Sequence, residues 1–146
     1  MEPSRHFGAY GVWLQAGRLV LVRKARGPYD GLLDLPGGSP EPGESPSATL
    51  RRELQEECGV ELTRTLERKP FKFHVERDSS GRPIDFTHTG LISHVEVKGP
   101  VVQDIAAEDV RGIALATTAD VPRFSPLVQE ALRLFPALAH DPNDRT

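Results

Sequence analysis

The sequence predicts a single α/β domain, and three observations carry that prediction. Two segments open on Ser-Pro and continue with apolar residues at helical spacing, one from Pro46 and one from Pro126. Around them lie apolar runs of strand length, parted by turns rich in Gly and Pro. The 146 residues suit one domain spanning the chain, with a core over about residues 7–135, and can bury that core without cross-links.

The first strand is expected from Phe7 to Gln15, with Tyr10, Val12 and Leu14 on one face. Ala16-Gly17-Arg18 turns the chain into a second strand, Leu19 to Val22, so that the two form a hairpin. Arg26 to Gly31 is a loop, Leu32 to Leu35 a short apolar piece, and Ser39 to Glu44 too rich in Pro and Gly for regular structure. The main helix runs from Pro46 to Cys58. Ser45 is its N-cap, Pro46 sits where a missing N–H costs nothing, and Gly59 suits the left-handed residue after the last turn. Val60 to His74 and Ile84 to Val97 are predicted to pair as a second hairpin about the turn Asp78–Pro83. Val110 to Leu115 is a further strand. In the last helix Leu127, Val128, Ala131, Leu132 and Phe135 form an apolar stripe.

Composition narrows the function. Eighteen Lys and Arg against 21 Asp and Glu leave a formal net charge of −3. That balance argues against polymeric nucleic acid, whose phosphates need a basic footprint, and leaves room for a small anionic ligand. Cys58 is the sole cysteine, so no intrachain disulfide can form and the cytoplasm is the default compartment. Met1 to Ala9 carries no signal-peptide pattern, and no run approaches the ~20 apolar residues of a membrane span.

The chemistry concentrates on the first helix. At about 100° per residue, Leu50, Leu54 and Cys58 share a narrow apolar arc, and Glu53, Glu56 and Glu57 share the arc beside it. Clustered carboxylates repel unless a cation sits among them. A hard oxygen cluster suits Mg²⁺ or Mn²⁺, which complete their shells with water and substrate phosphate. Arg52 lies one turn before Glu56 and can hold a carboxylate in place. Gly37-Gly38 lets the backbone come close to a ligand and offers a free carbonyl. Glu44, just before the cap, is placed to support the cluster.

These residues resemble the Nudix family. Gly38, five residues, Glu44, seven residues, Arg52-Glu53-Leu54, one residue, Glu56-Glu57, one residue, Gly59-Val60 fits the Nudix box at every constrained position. A chance match in such a chain is on the order of 10⁻⁸ at average residue frequencies. Gly31-Leu32-Leu33-Asp34-Leu35-Pro36-Gly37 also resembles the family's approach to the box, although members often carry Trp where this chain has Leu33. The resemblance extends over roughly Phe7 to Phe135. It implies an α/β/α sandwich around a mixed β-sheet, and Mg²⁺- or Mn²⁺-dependent hydrolysis of a nucleoside diphosphate linked to another moiety. Carried over by position, Glu53, Glu56 and Glu57 are the metal-binding and base carboxylates. Glu53 is assigned as base, Glu56 and Glu57 as principal ligands with Gly38, and Arg52 and Glu44 as their supports.

Arg23 and Lys24 end the second strand near the phosphate-facing loop and are candidates for substrate phosphate. Glu108, ahead of Asp104, is a candidate for the extra acid that many members carry before the Val110 strand. The histidines show no metal-ligand spacing, Cys58 reads as packing, and Trp13, Tyr29, Phe71, Phe73 and Phe86 read mainly as core. Pro70 stands too near the box to be the proline of ADP-ribose hydrolases, and the NADH and coenzyme A subclass motifs are absent. Nucleoside triphosphates, nucleotide sugars and dinucleoside polyphosphates remain as substrates. The alternatives are a non-catalytic nucleotide sensor, for which three intact glutamates are superfluous, and an RNA-end decapping enzyme, which the net charge disfavours. Family members are often dimers, which leaves room for a homodimer.

Overall fold

In a computed structural model, residues 1–103, 105–107 and 109–139 are described. The strands are β1 (Pro3–Val12), β2 (Leu14–Gln15), β3 (Arg18–Lys24), β4 (Leu33–Asp34), β5 (Gly37–Gly38), β6 (Glu61–Arg77), β7 (Pro83–Lys98), β8 (Ala106–Ala107) and β9 (Val110–Ala116). The α-helices are α1 (Pro46–Cys58) and α2 (Pro126–Leu134), and 3₁₀ turns cover Thr118–Arg123 and Pro136–Ala139.

Two sheets form where the sequence suggested one. The first, ordered β5-β1-β7-β6, is mixed, because β1 and β7 run parallel from Pro3↔Asp85 to Val12↔His94. The second, β2-β3-β9-β8 with β4 beside β3, is antiparallel throughout. The expected Phe7–Gln15 hairpin is therefore corrected. Only Leu14 and Gln15 pair with Leu19 and Arg18, while the chain before them belongs to the other sheet. A tight turn dictates pairing for the residues beside it, and ten residues of β1 find a better partner in β7. The second hairpin is as expected, from Glu61↔Lys98 to Arg77↔Pro83, with three register shifts along it.

Strand alternation builds one core on each side of the sheets. Tyr10, Val12, Leu19, Leu21 and Ile92 pack with Leu127, Val128 and Ala131 of α2. Ala9, Trp13, Val20, Val22 and Val95 pack with Leu50, Leu54 and Cys58 of α1. The helices thus cover opposite faces, which gives the α/β/α layering. The local signals for α1 act as read: Ser45 Oγ accepts from Ala48 N–H at 3.1 Å, and Gly59 closes the helix at φ 69°. Ser125 caps α2 in the same way, accepting from Val128 N–H at 3.1 Å. Among the described residues no helix is long and apolar enough to cross a membrane.

Candidate active site

Helix α1 packs against β1 and β6 by its apolar arc, and the neighbouring acidic arc faces β5, the Gly37-Gly38 strand. Gly37 lies tight against β1. Its φ is +142°, and a β-carbon there would stand 2.2 Å from the Ala9 carbonyl oxygen, so only glycine lets β5 pair with Ala9 and Tyr10 of β1. That pairing aims the Gly37 N–H at helix α1, where it donates to Glu57 Oε1 at 2.8 Å. Gly38 lies against Glu53: a β-carbon there would stand 2.9 Å from Glu53 Oε1.

The three glutamates differ in depth. Glu57 is 5% exposed, the Glu53 side chain 15% and that of Glu56 53%. Burial pushes the Glu57 carboxyl up to about 8, against the Gly37 N–H bond, and the Glu53 charge adds to the rise. Burial also raises Glu53, opposed by its Arg52 bond. Arg52 is the cation among them. Its Nε and Nη2 donate to Glu44 Oε2 and Oε1, each at 2.9 Å, and its Nη1 donates to Glu53 Oε1 at 2.9 Å and Glu56 Oε2 at 3.3 Å. Glu44 is held down to about 2, first by the Arg52 bond, then by the Glu41 N–H and the Thr49 hydroxyl.

The donor set fits a hard divalent cation. Glu53, Glu56, Glu57 and Gly38 line one cavity of about 320 Å³, shared with Lys24 and Asp109. Arg52 and Gly37 engage only Oε1 of Glu53 and of Glu57, so each carboxylate has a second oxygen that these donors do not use. Burial disfavours the ionised form of Glu57, and a cation bound beside it would favour that form again. Among the described residues no three acidic or imidazole side chains are already gathered to coordination distance. Arg52 fills the role of counter-charge in this arrangement.

A second cavity, about 260 Å³, adjoins the first and shares His6, Tyr10, Lys24 and Asp109 with it. Its inner wall is Tyr29, Asp34, Phe86 and His88. His88 is 3% exposed and Tyr10 Oη and Tyr29 Oη each lie 2.8 Å from one of its ring nitrogens. Burial drives the imidazole down to about 3, helped by the nearby His6 and Lys24.

The chain matches the NUDIX domain family over residues 3–138. It belongs to the Nudix family. The structural comparisons agree. A MutT NUDIX hydrolase from Burkholderia pseudomallei superposes with TM-score 0.68 at 20% identity, covering 89% of this chain and 97% of that one. The E. coli ORF135 protein gives 0.64 at 26%, covering 97% and 96%. The NUDIX domain of Shewanella oneidensis NrtR, complexed with ADP ribose, gives 0.62 at 19%, covering 91% and 90%. A search of curated proteins found no match.

Within this Nudix fold most sequence-chosen residues converge. Gly38, Arg52, Glu53, Glu56 and Glu57 line one cavity, and Glu44 braces it through Arg52. Lys24 faces both cavities, but Arg23 is exposed and lines neither, because neighbouring strand residues point to opposite faces. Glu108 and Asp104 lie outside the described residues. Asp109 lines both cavities and joins Arg26 in an ion pair. Sequence reasoning passed over Asp109, although it stands directly before the Val110 strand that was recognised. It also passed over Asp34, Tyr10 and His88; Tyr29 and Phe86 are buried in the core as expected and also line the second cavity. His88 gave no spacing signal, since its partners are 59 and 78 residues away.

Proposed function

We propose that this Nudix protein is a metal-dependent hydrolase that cleaves a pyrophosphate linkage in a nucleoside diphosphate joined to another moiety. The single observation that carries the reading is the convergence of Glu53, Glu56, Glu57 and Gly38 on one cavity, with Arg52 and Glu44 behind them. Glu56, Glu57 and the Gly38 carbonyl would hold Mg²⁺ or Mn²⁺. The cation, when bound, neutralises pyrophosphate oxygens and lowers the pKa of an attacking water. Glu53, raised by burial, would take a proton from the attacking water. Arg52 fixes the Glu53 rotamer and Glu44 fixes Arg52. Lys24 meets substrate phosphate from the opposite strand.

The same reading takes residues 1–146 as one domain with its core over about 7–135. It acts in the cytoplasm on a small nucleotide-like substrate, as a monomer or homodimer. A buried, unpaired Cys58 and a formal net charge of −3 support this.

The test is a panel of nucleoside triphosphates, nucleotide sugars and dinucleoside polyphosphates, incubated with Mg²⁺ or with chelator and resolved by product mass. Nucleoside monophosphate or diphosphate products that require Mg²⁺ are expected. Tight binding with no product would favour a non-catalytic nucleotide sensor. A melting experiment tests the metal separately. Mg²⁺ binds the folded cluster and not the unfolded chain. At ~100 times Kd it is expected to add about 2.7 kcal/mol, several degrees in a domain of this size. NaCl at equal ionic strength should do less, because screening supplies no inner-shell oxygen coordination. Equal shifts from the two salts, or a full Mg²⁺ response in Glu56→Gln, would remove the metal from the argument.

A further inference from the structure

The outer rim of the second cavity is the loop 26–31, which contributes Arg26, Gly27, Pro28 and Tyr29 to its lining. The loop is closed at its neck, where Gly31 N–H donates to the Lys24 carbonyl at 2.9 Å and Lys24 N–H to the Leu32 carbonyl at 3.0 Å. Beyond the neck it has little packing of its own. Gly27 and Gly31 stand at φ +82° and +84°, and a β-carbon on either would meet nothing within 4 Å. Left-handed glycines in open space are natural hinge points. The part of the loop between them is held by residues far along the chain. Arg26 pairs with Asp109, and Tyr29 Oη reaches His88. The carbonyls of Pro28 and Asp30 are both held by Ser79, whose N–H donates to Pro28 at 2.9 Å and whose hydroxyl donates to Asp30 at 2.6 Å.

Ser79 belongs to the turn that joins β6 to β7, and that turn keeps its shape through other residues. Asp78 Oδ1 accepts from the Ser80 N–H at 2.9 Å, the Ser80 hydroxyl at 2.6 Å and the Arg82 N–H at 2.9 Å. The backbone closes from Asp78 N–H to the Arg82 carbonyl and from Gly81 N–H to the Asp78 carbonyl, each at 3.0 Å. The N–H and hydroxyl of Ser79 take no part in that network, and both donate to the loop. The same hairpin carries Phe86 and His88, which stand in the inner wall of the cavity. One element therefore supplies the inner wall and, through Ser79, grips the outer rim, so it sets the distance between them.

We infer that Ser79 is a positioning residue, which fixes the loop 26–31 over the second cavity and so presets the width open to the part of the substrate beyond the pyrophosphate. Ser79 lines neither cavity and acts through Pro28 and Asp30. The inference rests on the pyrophosphohydrolase reading of the neighbouring carboxylates for its substrate. Without the Ser79 hydroxyl the loop loses one bond and spends part of its time swung open, so the substrate must also close it. That cost falls on affinity. The carboxylates on α1 are braced by Gly37 and Arg52 rather than by the loop, so the chemical step is spared.

The experiment pairs hydrogen exchange with kinetics on Ser79→Ala and Ser79→Thr, the second of which keeps the hydroxyl. In the intact protein without nucleotide, Ser79→Ala is expected to speed amide exchange within 26–31 by about 3–10-fold, the loss of one hydrogen bond, and Ser79→Thr to restore it. On the substrate of the panel that wild type hydrolyses best, Ser79→Ala should raise KM by a similar factor and leave kcat within twofold, with KM recovered in Ser79→Thr. A melt of each variant confirms folding. Unaltered exchange in folded Ser79→Ala would overturn the clasp. Faster exchange with an unchanged KM, or with kcat falling instead, would overturn the positioning role. If wild type hydrolyses nothing in the panel, the catalytic reading fails by itself, and calorimetric Kd for the same nucleotides in Mg²⁺ takes the place of KM. Binding of none of them, or equal Kd in wild type and Ser79→Ala, would then overturn the positioning role as well.

Discussion

Glu57→Gln is expected to keep its fold and to lose turnover by about 10²–10⁴-fold, several kcal/mol of transition-state stabilisation. The amide oxygen of glutamine can still accept from Gly37 N–H, so the link between α1 and β5 survives. What disappears is the deepest anionic oxygen of the cavity, and with it much of the hold on a divalent cation. The variant also has a pH signature. Folding raises the Glu57 carboxyl from 4.5 to about 8. Below pH 4.5 the group is protonated in both states and costs nothing. Between 4.5 and about 8 the unfolded chain binds fewer protons than the folded one, so the metal-free protein loses stability as pH rises through that window. Glutamine has no such loss. In chelator, the melting temperature of Glu57→Gln should therefore rise relative to wild type from pH 4.5 to 8. A gap that stays constant across that range, or turnover near wild type in the folded variant, would contradict the role given to Glu57.

Arg52→Ala is expected to cut kcat/KM by about 10–100-fold, the usual cost of removing the group that orients a ligand. Arg51→Ala is expected to change it little, because Arg51 is exposed on the far side of the helix while Arg52 bonds Glu44, Glu53, Glu56 and the Ser39 carbonyl. Arg52→Lys should recover little. A single ammonium cannot take both Glu44 oxygens and still reach Glu53, which the planar fork does. Steady-state kinetics on the best substrate of the panel measures all three, and equal losses for Arg51→Ala and Arg52→Ala would end the orienting role.

The parts of the site that were legible in the sequence are those written locally. Ser45, Pro46 and Gly59 set the limits of α1 by capping, and the 3.6-residue period then places Glu53, Glu56 and Glu57 beside Leu50 and Leu54. Cys58 fell on the apolar arc and is wholly buried. What escaped notice depends on distant pairings. Nothing near Pro3–Val12 announces a parallel partner some eighty residues on, and the local signals there point only to a hairpin. The aromatic cavity escaped for the same reason, since Tyr10, Tyr29 and His88 come from three separate stretches. The 3₁₀ turn Thr118–Arg123 had a local signal in Thr117 and Asp120, which form a capping box, but it is short and carries no apolar stripe. Arg23 and Lys24 show the limit of adjacency: residues next to each other in a strand do not share a face.

The first strand stands between β5 and β7 and supplies Tyr10 to both cavities. Its partners are far along the chain, with Pro3 opposite Asp85 and Ala9 opposite Gly38, whereas β6 and β7 meet through a short turn. Loop-closure entropy therefore delays β1 relative to the β6–β7 hairpin as the protein folds. A partial opening that lifts β1 away would disrupt both cavities together and leave the hairpin intact. Both cavities therefore exist only once β1 has found partners that lie far from it along the chain.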